Sequence, residues 1–311
     1  MSKFFQALEH AERERARERG ERTEASGITA TAVNGTRTSE TAPVVEASDA
    51  FGAAVVRDVR DPEATHRGAF TTLLEPAVAA EPGVVDDHLV SVLEPTSVAA
   101  EQYRSIRLAI ENHRREHGTR VIAVASPARS DGKTTTAINL AGALAQAADA
   151  RVVVVEADLR HPSMARVLGL SGSCGLSTYL LDHSMALEQV VERPRGLGFA
   201  VVVAGTPSSM PYELLASARL SDMLATLKET FDFVLVDTPP TLPFPDVGIL
   251  RELVDGFLLV VRAKRTPREQ VRECLTAIGA QRVLGMVFND DDRTDAVASR
   301  ELPRRRFPGL S

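Results

Sequence analysis

The chain has 311 residues, 44% of them hydrophobic and 25% charged, and a formal net charge of −6 at neutral pH. This length allows one large α/β domain with additional segments or two small domains, and the acidic balance argues against nucleic acid as a partner. Two cysteines, Cys174 and Cys274, without a CxxC pair argue against a disulfide framework and a cysteine metal site, and indicate a reducing compartment.

Residues 1–90 are predicted to form a separate N-terminal segment. Over 1–24, apolar residues at helical spacing precede mixed Glu and Arg, which fits either a short amphipathic helix or a solvated terminus. Residues 26–80 lack periodicity and are predicted to be mostly disordered linker. The sequence shows no charged and then apolar leader, and no apolar run near the roughly 20 residues of a membrane helix. A cytoplasmic location is therefore expected.

A helix is predicted for Ala99–His113, after a turn at Glu94–Ser97. Its apolar face carries Tyr103, Ile106 and Ile110. Glu101, Arg104 and Arg107 recur every third residue and form one polar row on this helix. Such a row is either a solvated face or a contact with a neighbouring subunit.

A glycine-containing loop follows the apolar run Val121–Val124. Residues 125–136 read ASPARSDGKTTT and open a stretch with helical character. A strand, a tight loop with Gly-Lys-Thr and a helix form the layout of a nucleotide phosphate site, because unpaired N–H groups and the helix dipole favour an anion there. Lys133 is expected to reach the terminal phosphates and Thr134 to ligate magnesium.

The match to the general phosphate-loop template is incomplete, since Pro127 stands where the first glycine is expected. A Gly-Lys-Thr triplet also occurs by chance in turns, so a helix start with a polar turn is the plain alternative. The position between a strand and a helix favours the nucleotide site. The loop residues expected to bind ATP are Ala128, Arg129, Ser130, Asp131, Gly132, Lys133, Thr134 and Thr135.

From Arg120 onward, short apolar runs alternate with helical stretches. The predicted strands are Val121–Ala125, Val152–Val155, Phe199–Ala204, Phe233–Val236, Phe257–Val261 and Val283–Phe288. The predicted helices between them are Thr135–Ala148, Tyr212–Lys228 and Pro267–Gly279. Continuously apolar strands between helices predict an α/β fold of the P-loop NTPase type, a doubly wound, mostly parallel sheet with helices on both faces.

Acidic residues follow two of the predicted strands. Glu156 and Asp158 come after the second strand, and Asp237 comes after the fourth. Ligands of such sheets bind at the carboxyl ends of the strands. Turn or helix-cap acids are the plain alternative, but two such sites together with the phosphate loop favour one magnesium–nucleotide site. Asp237 is then expected to hold a magnesium-bound water and Asp158 to lie near the γ-phosphate.

Three segments, Ala125–Thr136, Val154–Pro162 and Phe231–Pro240, together resemble the bacterial tyrosine autokinases of capsule and exopolysaccharide export. These P-loop proteins are related to the septum-site and plasmid-partition ATPases. The resemblance spans roughly Val92 to Asn289 and depends on several motifs in order. Residues 1–15 also resemble the start of exosortase-linked members.

The resemblance implies a cytoplasmic, magnesium- and ATP-dependent protein-tyrosine kinase that regulates polysaccharide chain length with a membrane co-polymerase partner. It implies a kinase-like domain over 91–290 and a basic, flexible tail over 291–311. It implies catalytic roles for Lys133, Glu156, Asp158 and Asp237, and magnesium contacts for Thr134, Asp158 and Asp237. The row Glu101, Arg104 and Arg107 resembles the motif with which family members form homo-oligomeric rings, and Asn289 the residue that approaches the adenine.

Some residues depart from the family pattern. Ala128 stands where the partition and septum ATPases carry a second lysine, which favours the kinase branch. Glu156 stands where the kinases usually have Asp, and its longer arm is expected to reach magnesium or the attacking hydroxyl through water.

The tyrosines are the most consequential departure. None of the chain's three tyrosines lies in the tail, so phosphorylation of a tyrosine tail is not expected. This keeps a second function open, a non-kinase ATPase or ATP-sensing regulator on the same membrane partner, and leaves the phosphate acceptor, the polysaccharide and the ring size undefined.

Overall fold

The computed structural model describes residues 85–147 and 149–290. The predicted N-terminal segment lies outside the described residues except for 85–90, and so does the whole predicted tail, 291–311. The strands are β1 (Val121–Ala125), β2 (Val152–Glu156), β3 (Ala200–Val202), β4 (Phe233–Asp237), β5 (Gly256–Arg262) and β6 (Val283–Asn289). The α-helices are α1 (Val90–Leu93), α2 (Val98–His117), α3 (Lys133–Ala145), α4 (Met164–Val167), α5 (Leu176–Leu181), α6 (Pro211–Leu215), α7 (Ala218–Thr230), α8 (Asp246–Leu253) and α9 (Arg268–Ile278).

The strands form one six-stranded sheet in the order β3-β2-β4-β1-β5-β6. Every pairing between these strands is parallel. From β1 the chain passes to β2 and then to β3 at one edge of the sheet. It returns to β4, between β2 and β1, and then continues through β5 to β6 at the opposite edge. The predicted doubly wound, parallel architecture is therefore confirmed.

The core lies on both faces of this sheet. Along β1, Val121 and Ala123 belong to one apolar cluster, while Ile122 and Val124 belong to the other. The first cluster is completed by residues of α5 to α9, and the second by residues of α2, α3 and α4. Strands buried on both faces are apolar at every position, which explains why they read as continuous apolar runs rather than alternating patterns.

Helix α2 starts where the sequence predicts a turn. The Ser97 hydroxyl accepts a hydrogen bond from the N–H of Ala100 at 3.2 Å and caps the helix, which then runs to His117, four residues beyond the predicted end. Among the described residues, no helix has both the length and the apolar character needed to cross a membrane.

The stretch predicted as one helix, Tyr212–Lys228, is two helices, α6 and α7. Ser217 adopts an extended conformation between them and donates its hydroxyl to the carbonyl of Leu214 at 2.7 Å. Local side-chain hydrogen bonding of this kind competes with helix continuation. The sequence analysis also missed α1, α4, α5 and α8, since helices of eight residues or fewer show little periodicity.

Strand β3 is shorter than the predicted run Phe199–Ala204. Val203 and Ala204, the last residues of that run, are not paired in the sheet because their backbone groups form hydrogen bonds elsewhere. The N–H of Ala204 donates to the Glu156 carboxylate at 2.9 Å, and the carbonyl of Val203 accepts from the N–H of Leu176 at 2.8 Å. The carboxyl end of β3 is thereby joined to the acidic cluster that follows β2.

Candidate nucleotide site

The loop between β1 and α3 is held in shape by its own acid. Asp131 is buried, and its carboxylate accepts hydrogen bonds from the N–H of Ala128 at 2.9 Å and from the hydroxyl of Thr266 at 3.0 Å. Ser130 sits in the left-handed backbone region, with φ of 63°. Asp131 therefore braces the loop through its side chain, and its predicted contact with ATP stays a prediction.

Gly132 is the helix N-cap and has φ of 101°, a conformation that favours glycine. A Cβ atom there would lie 2.1 Å from Nδ2 of Asn289, so a side chain at this position has no room. The same Nδ2 donates to the carbonyl of Asp131 at 3.0 Å. Asn289, at the end of β6, thus holds the loop by its amide, and its predicted approach to the adenine stays a prediction.

The other loop residues differ in exposure. Arg129 and Ser130 are exposed, and Ala128, Thr134 and Thr135 are half-buried. Lys133 begins α3 with only 7% of its surface exposed, and its positive charge acts on Asp237. A cation held at a helix N-terminus is the arrangement that accommodates bound phosphates.

Asp237 ends β4 and is fully buried beside the start of α3. Its Oδ2 accepts a hydrogen bond from the Thr134 hydroxyl at 2.6 Å. Its Oδ1 is also buried, and within the described part of the chain it has no hydrogen-bond partner. Burial raises the pKa of Asp237 to about 7, against the opposing effects of Lys133 and the Thr134 hydrogen bond.

An unsatisfied buried carboxylate oxygen is costly unless a further ligand completes the site. Hydroxyl and carboxylate oxygens are the ligands that magnesium prefers. The pair of Thr134 and Asp237 therefore fits a hydrated magnesium ion, and the unpartnered oxygen is the atom that would accept from its water.

Asp158 lies in the segment between β2 and α4, with 9% of its surface exposed. Its Oδ1 accepts the N–H of His161 at 3.0 Å. Its charge also contributes to the raised pKa of Asp237, which places the two carboxylates in the same cluster. The structure thus brings Asp158, Asp237 and Lys133 together at one edge of the sheet.

Glu156 has a different environment from the one predicted. Its Oε1 accepts the N–H groups of Ser163 and Met164 at 2.5 and 2.7 Å, and its Oε2 accepts that of Ala204 at 2.9 Å. Burial raises the pKa of the Glu156 carboxyl, and these three hydrogen bonds oppose the rise. Both oxygens are engaged with backbone, so this side chain fastens α4 and the end of β3 to β2.

An ion pair between Arg160 and the buried Asp246, which the sequence does not predict, fixes the same segment. Arg160 donates to both carboxylate oxygens of Asp246, at 2.7 and 3.0 Å, and its guanidinium lies over the Phe244 ring at 4.2 Å. Asp246 is fully buried at the start of α8. Arg160 lies in a segment that resembles the family, but spacing along the chain does not indicate that it pairs with Asp246.

The polar row on α2 is used within the chain. Arg104 pairs with Glu101 and donates to the carbonyl of Pro95 at 2.6 Å. Arg107 pairs with Glu111 at 2.6 Å and donates to the carbonyl of Ala143 at 3.0 Å, near the end of α3. The row is therefore not simply solvated, and its predicted role between subunits remains a proposal.

Comparison with known proteins agrees with this geometry. An AAA domain family model matches residues 119–278, about half of the chain. The chain is 32% identical over 204 residues to the tyrosine-protein kinase YwqD of Bacillus subtilis, covering 65% of this chain and 85% of the relative. The chain belongs to the bacterial tyrosine-protein kinase family.

Two further matches show the extent of the family likeness. The kinase domain of the Escherichia coli tyrosine kinase ETK superposes with a TM-score of 0.62 at 26% identity, covering 68% of this chain and 82% of that domain. The succinoglycan biosynthesis transport protein ExoP of Rhizobium meliloti is 31% identical over 208 residues. That match covers 65% of this chain and 26% of ExoP, so the chain corresponds to one part of this longer relative. The predicted family and P-loop fold are confirmed.

Proposed function

We propose that this protein is a magnesium- and ATP-dependent protein-tyrosine kinase of exopolysaccharide or capsule synthesis. The observation that carries this proposal is the hydrogen bond from Thr134 to the buried Asp237 beside Lys133, with one carboxylate oxygen of Asp237 lacking a partner among the described residues. Membership of the tyrosine-protein kinase family and the likeness to a succinoglycan biosynthesis protein support the reaction class and the pathway.

In this proposal, Lys133 and the N–H groups at the start of α3 hold the phosphates of ATP. Thr134, Asp237 and Asp158 would hold the magnesium ion, which neutralises charge on the transferring phosphoryl group when bound. Asp158, the more accessible of the two strand-end aspartates, orients the acceptor hydroxyl and takes its proton. The hydrogen bonds of the Asp131 carboxylate and of the Asn289 amide hold the loop in one conformation, so little conformational change of the loop opposes ATP binding.

We also propose where the protein acts in the cell and how it assembles. The protein acts at the inner face of the membrane, recruited by a membrane co-polymerase that controls chain length, and it assembles into a homo-oligomeric ring. The kinase-like domain covers 91–290, with the N-terminal segment and the basic tail on either side.

A second function is a non-kinase ATPase or ATP-sensing regulator on the same partner. The engagement of Glu156 with backbone N–H groups favours it, because one of the acids expected near the reaction is occupied with structure.

A phosphotransfer assay with a Glu-Tyr copolymer as external acceptor separates the two. The proposed kinase transfers phosphate from ATP to tyrosine only with magnesium present. The Asp158→Asn variant should lose about a hundredfold or more in turnover with little change in ATP affinity, since its role is in the transition state. Asp222→Asn, an exposed acid on α7, is the matched control. Release of ADP without any phosphotyrosine would favour the regulator.

A further inference from the structure

The chain offers three tyrosines to a tyrosine kinase, and all lie in the described residues. Tyr103 is half-buried against Thr136 and Asn139, and burial raises the pKa of its hydroxyl. Tyr179 is 8% exposed, and the Arg219 guanidinium covers its ring at 4.1 Å. Neither hydroxyl can enter another active site without local unfolding.

Tyr212 is different. It stands in the first turn of α6 with 43% of its surface exposed. Its neighbours along this helix anchor it: Pro211 is buried, and Leu214 and Leu215 are 6% and 1% exposed. A ring that points to solvent from an anchored turn is presented to other molecules at low entropic cost.

The loop that leads to Tyr212 belongs to the catalytic edge of the sheet. It follows the carboxyl end of β3, and the N–H of Ser208 donates to the carbonyl of Leu159 at 3.2 Å, one residue beyond Asp158. The loop that leads to Tyr212 is therefore hydrogen-bonded to the segment that carries Asp158.

We propose that Tyr212 is the phosphate acceptor in self-phosphorylation, and that it is phosphorylated by a second copy of this chain. Of the three tyrosine rings, that of Tyr212 is the most exposed, so a second copy can reach it without local unfolding. A head-to-tail contact brings the edge of one subunit to a different surface of the next and supplies that neighbour.

The step balances as ordinary phosphoryl transfer. The Tyr212 hydroxyl oxygen attacks the γ-phosphorus of ATP in the neighbouring subunit, and the bond from that phosphorus to the β–γ bridging oxygen breaks. The phenol proton passes to the neighbour's Asp158 carboxylate, and ADP leaves. The acceptor assignment depends on the kinase function proposed above.

A mixed reaction tests it. The untagged parent serves as donor with magnesium and ATP, and tagged Lys133→Ala protein, whose ATP binding is expected to be about ten- to hundredfold weaker, serves as acceptor. Phosphopeptide mapping of the tagged chain should find phosphate on Tyr212. The acceptor Lys133→Ala/Tyr212→Phe should take up about tenfold less phosphate, and Lys133→Ala/Tyr179→Phe should match the Lys133→Ala acceptor. Asp158→Asn provides a second inactive acceptor if Lys133→Ala does not fold.

A Glu-Tyr copolymer in the same tube separates the possible failures. Phosphorylated copolymer with no phosphate on Tyr212 overturns the acceptor assignment and leaves the kinase function standing. Phosphate on Tyr103 or Tyr179 instead also overturns it. If neither the copolymer nor any tagged chain is phosphorylated, the kinase function fails and the acceptor assignment fails with it.

Discussion

The hydroxyl of Thr134 donates to Oδ2 of Asp237 at 2.6 Å, although the two residues are 103 positions apart in the chain. The contact crosses from the first turn of α3 to the end of β4, and it leaves the other oxygen of Asp237 buried without a partner among the described residues. The fold therefore tolerates an unfavourable buried charge at Asp237. Function, rather than stability, explains its presence.

Asp237→Asn should therefore separate stability from function. Burial raises the pKa of Asp237 to about 7, so at pH 8 the native state holds an ionised acid that it disfavours. We expect the amide to keep the melting temperature of the ligand-free protein equal or higher at pH 8, while magnesium-dependent phosphotransfer is lost. Differential scanning calorimetry and the phosphotransfer assay measure the two. A melting temperature lowered by several degrees would contradict this explanation.

Lys133→Ala should weaken ATP binding about ten- to hundredfold, since hydrogen bonds to charged groups contribute about 1.5–3 kcal/mol. Isothermal titration calorimetry with magnesium–ATP measures the change, and circular dichroism checks that the fold is retained. Lys228→Ala is the control because Lys228 pairs with Asp255 at 2.7 Å, away from the loop. Equal ATP affinity in the Lys133→Ala variant and the parent would remove the phosphate-site assignment.

Glu156→Gln should destabilise the protein by about 2 kcal/mol, because the amide NH₂ cannot accept one of the backbone N–H groups that the carboxylate now accepts. Turnover should fall as the segment carrying Asp158 loosens. Urea unfolding measures the stability, with the exposed Glu229→Gln as control. Loss of turnover at unchanged stability would instead assign Glu156 a direct role in the reaction.

The row on α2 can be tested with its Glu101–Arg104 ion pair kept, although the hydrogen bond from Arg104 to the carbonyl of Pro95 is lost. Exchanging Glu101 and Arg104, as Glu101→Arg/Arg104→Glu, keeps their ion pair and reverses the charges seen from outside. Arg107 stays unchanged because it bonds the carbonyl of Ala143. If the row docks a neighbouring subunit, association of the exchanged protein should weaken about tenfold or more and depend on salt.

Light scattering with magnesium–ATP compares the exchanged protein with the parent at low and high salt. A mixture of the two proteins provides an internal control for aggregation. Oligomers of equal size in the parent and the exchanged protein would show that the row serves α2 alone.

The surroundings of Asp232 predict how the stability of the protein depends on pH. Burial alone would raise its pKa, but hydrogen bonds from Arg151 and Arg114 outweigh burial and lower it to about 2, from an ordinary value of 3.8. A carboxyl with a depressed native pKa stabilises the fold above its unfolded pKa, and this contribution disappears as pH falls from about 4 to about 2.

The parent should therefore exceed Asp232→Asn in stability by about 1–2 kcal/mol near pH 7, and the difference should shrink toward pH 2. Chemical unfolding at a series of pH values measures it. Asp222→Asn, on the exposed side of α7, is the control for removing a carboxylate from the surface. A constant difference for Asp232→Asn would mean that the arginine contacts add nothing to the charged form.

Much of the architecture is determined locally and can be predicted from sequence. The apolar runs of β1, β2 and β4 are continuous because both faces of those strands are buried, and the acids after them fall where parallel strands end. Gly132 needs a positive φ, and its neighbours Lys133 and Thr134 follow a strand and open a helix. The prediction of the phosphate loop and its acids is based on this local order.

Only the tertiary structure decided what each acid does. Asp131, Glu156 and Asp237 are all carboxylates close to the loop, but Asp131 and Glu156 accept backbone N–H groups, whereas Asp237 has one oxygen with no partner in the part of the chain that the structure describes. The difference depends on partners far away in sequence, such as Thr266 for Asp131 and Ala204 for Glu156. Residue type and spacing define which groups can ionise, but the packing of distant strands decides which of them remains available for chemistry.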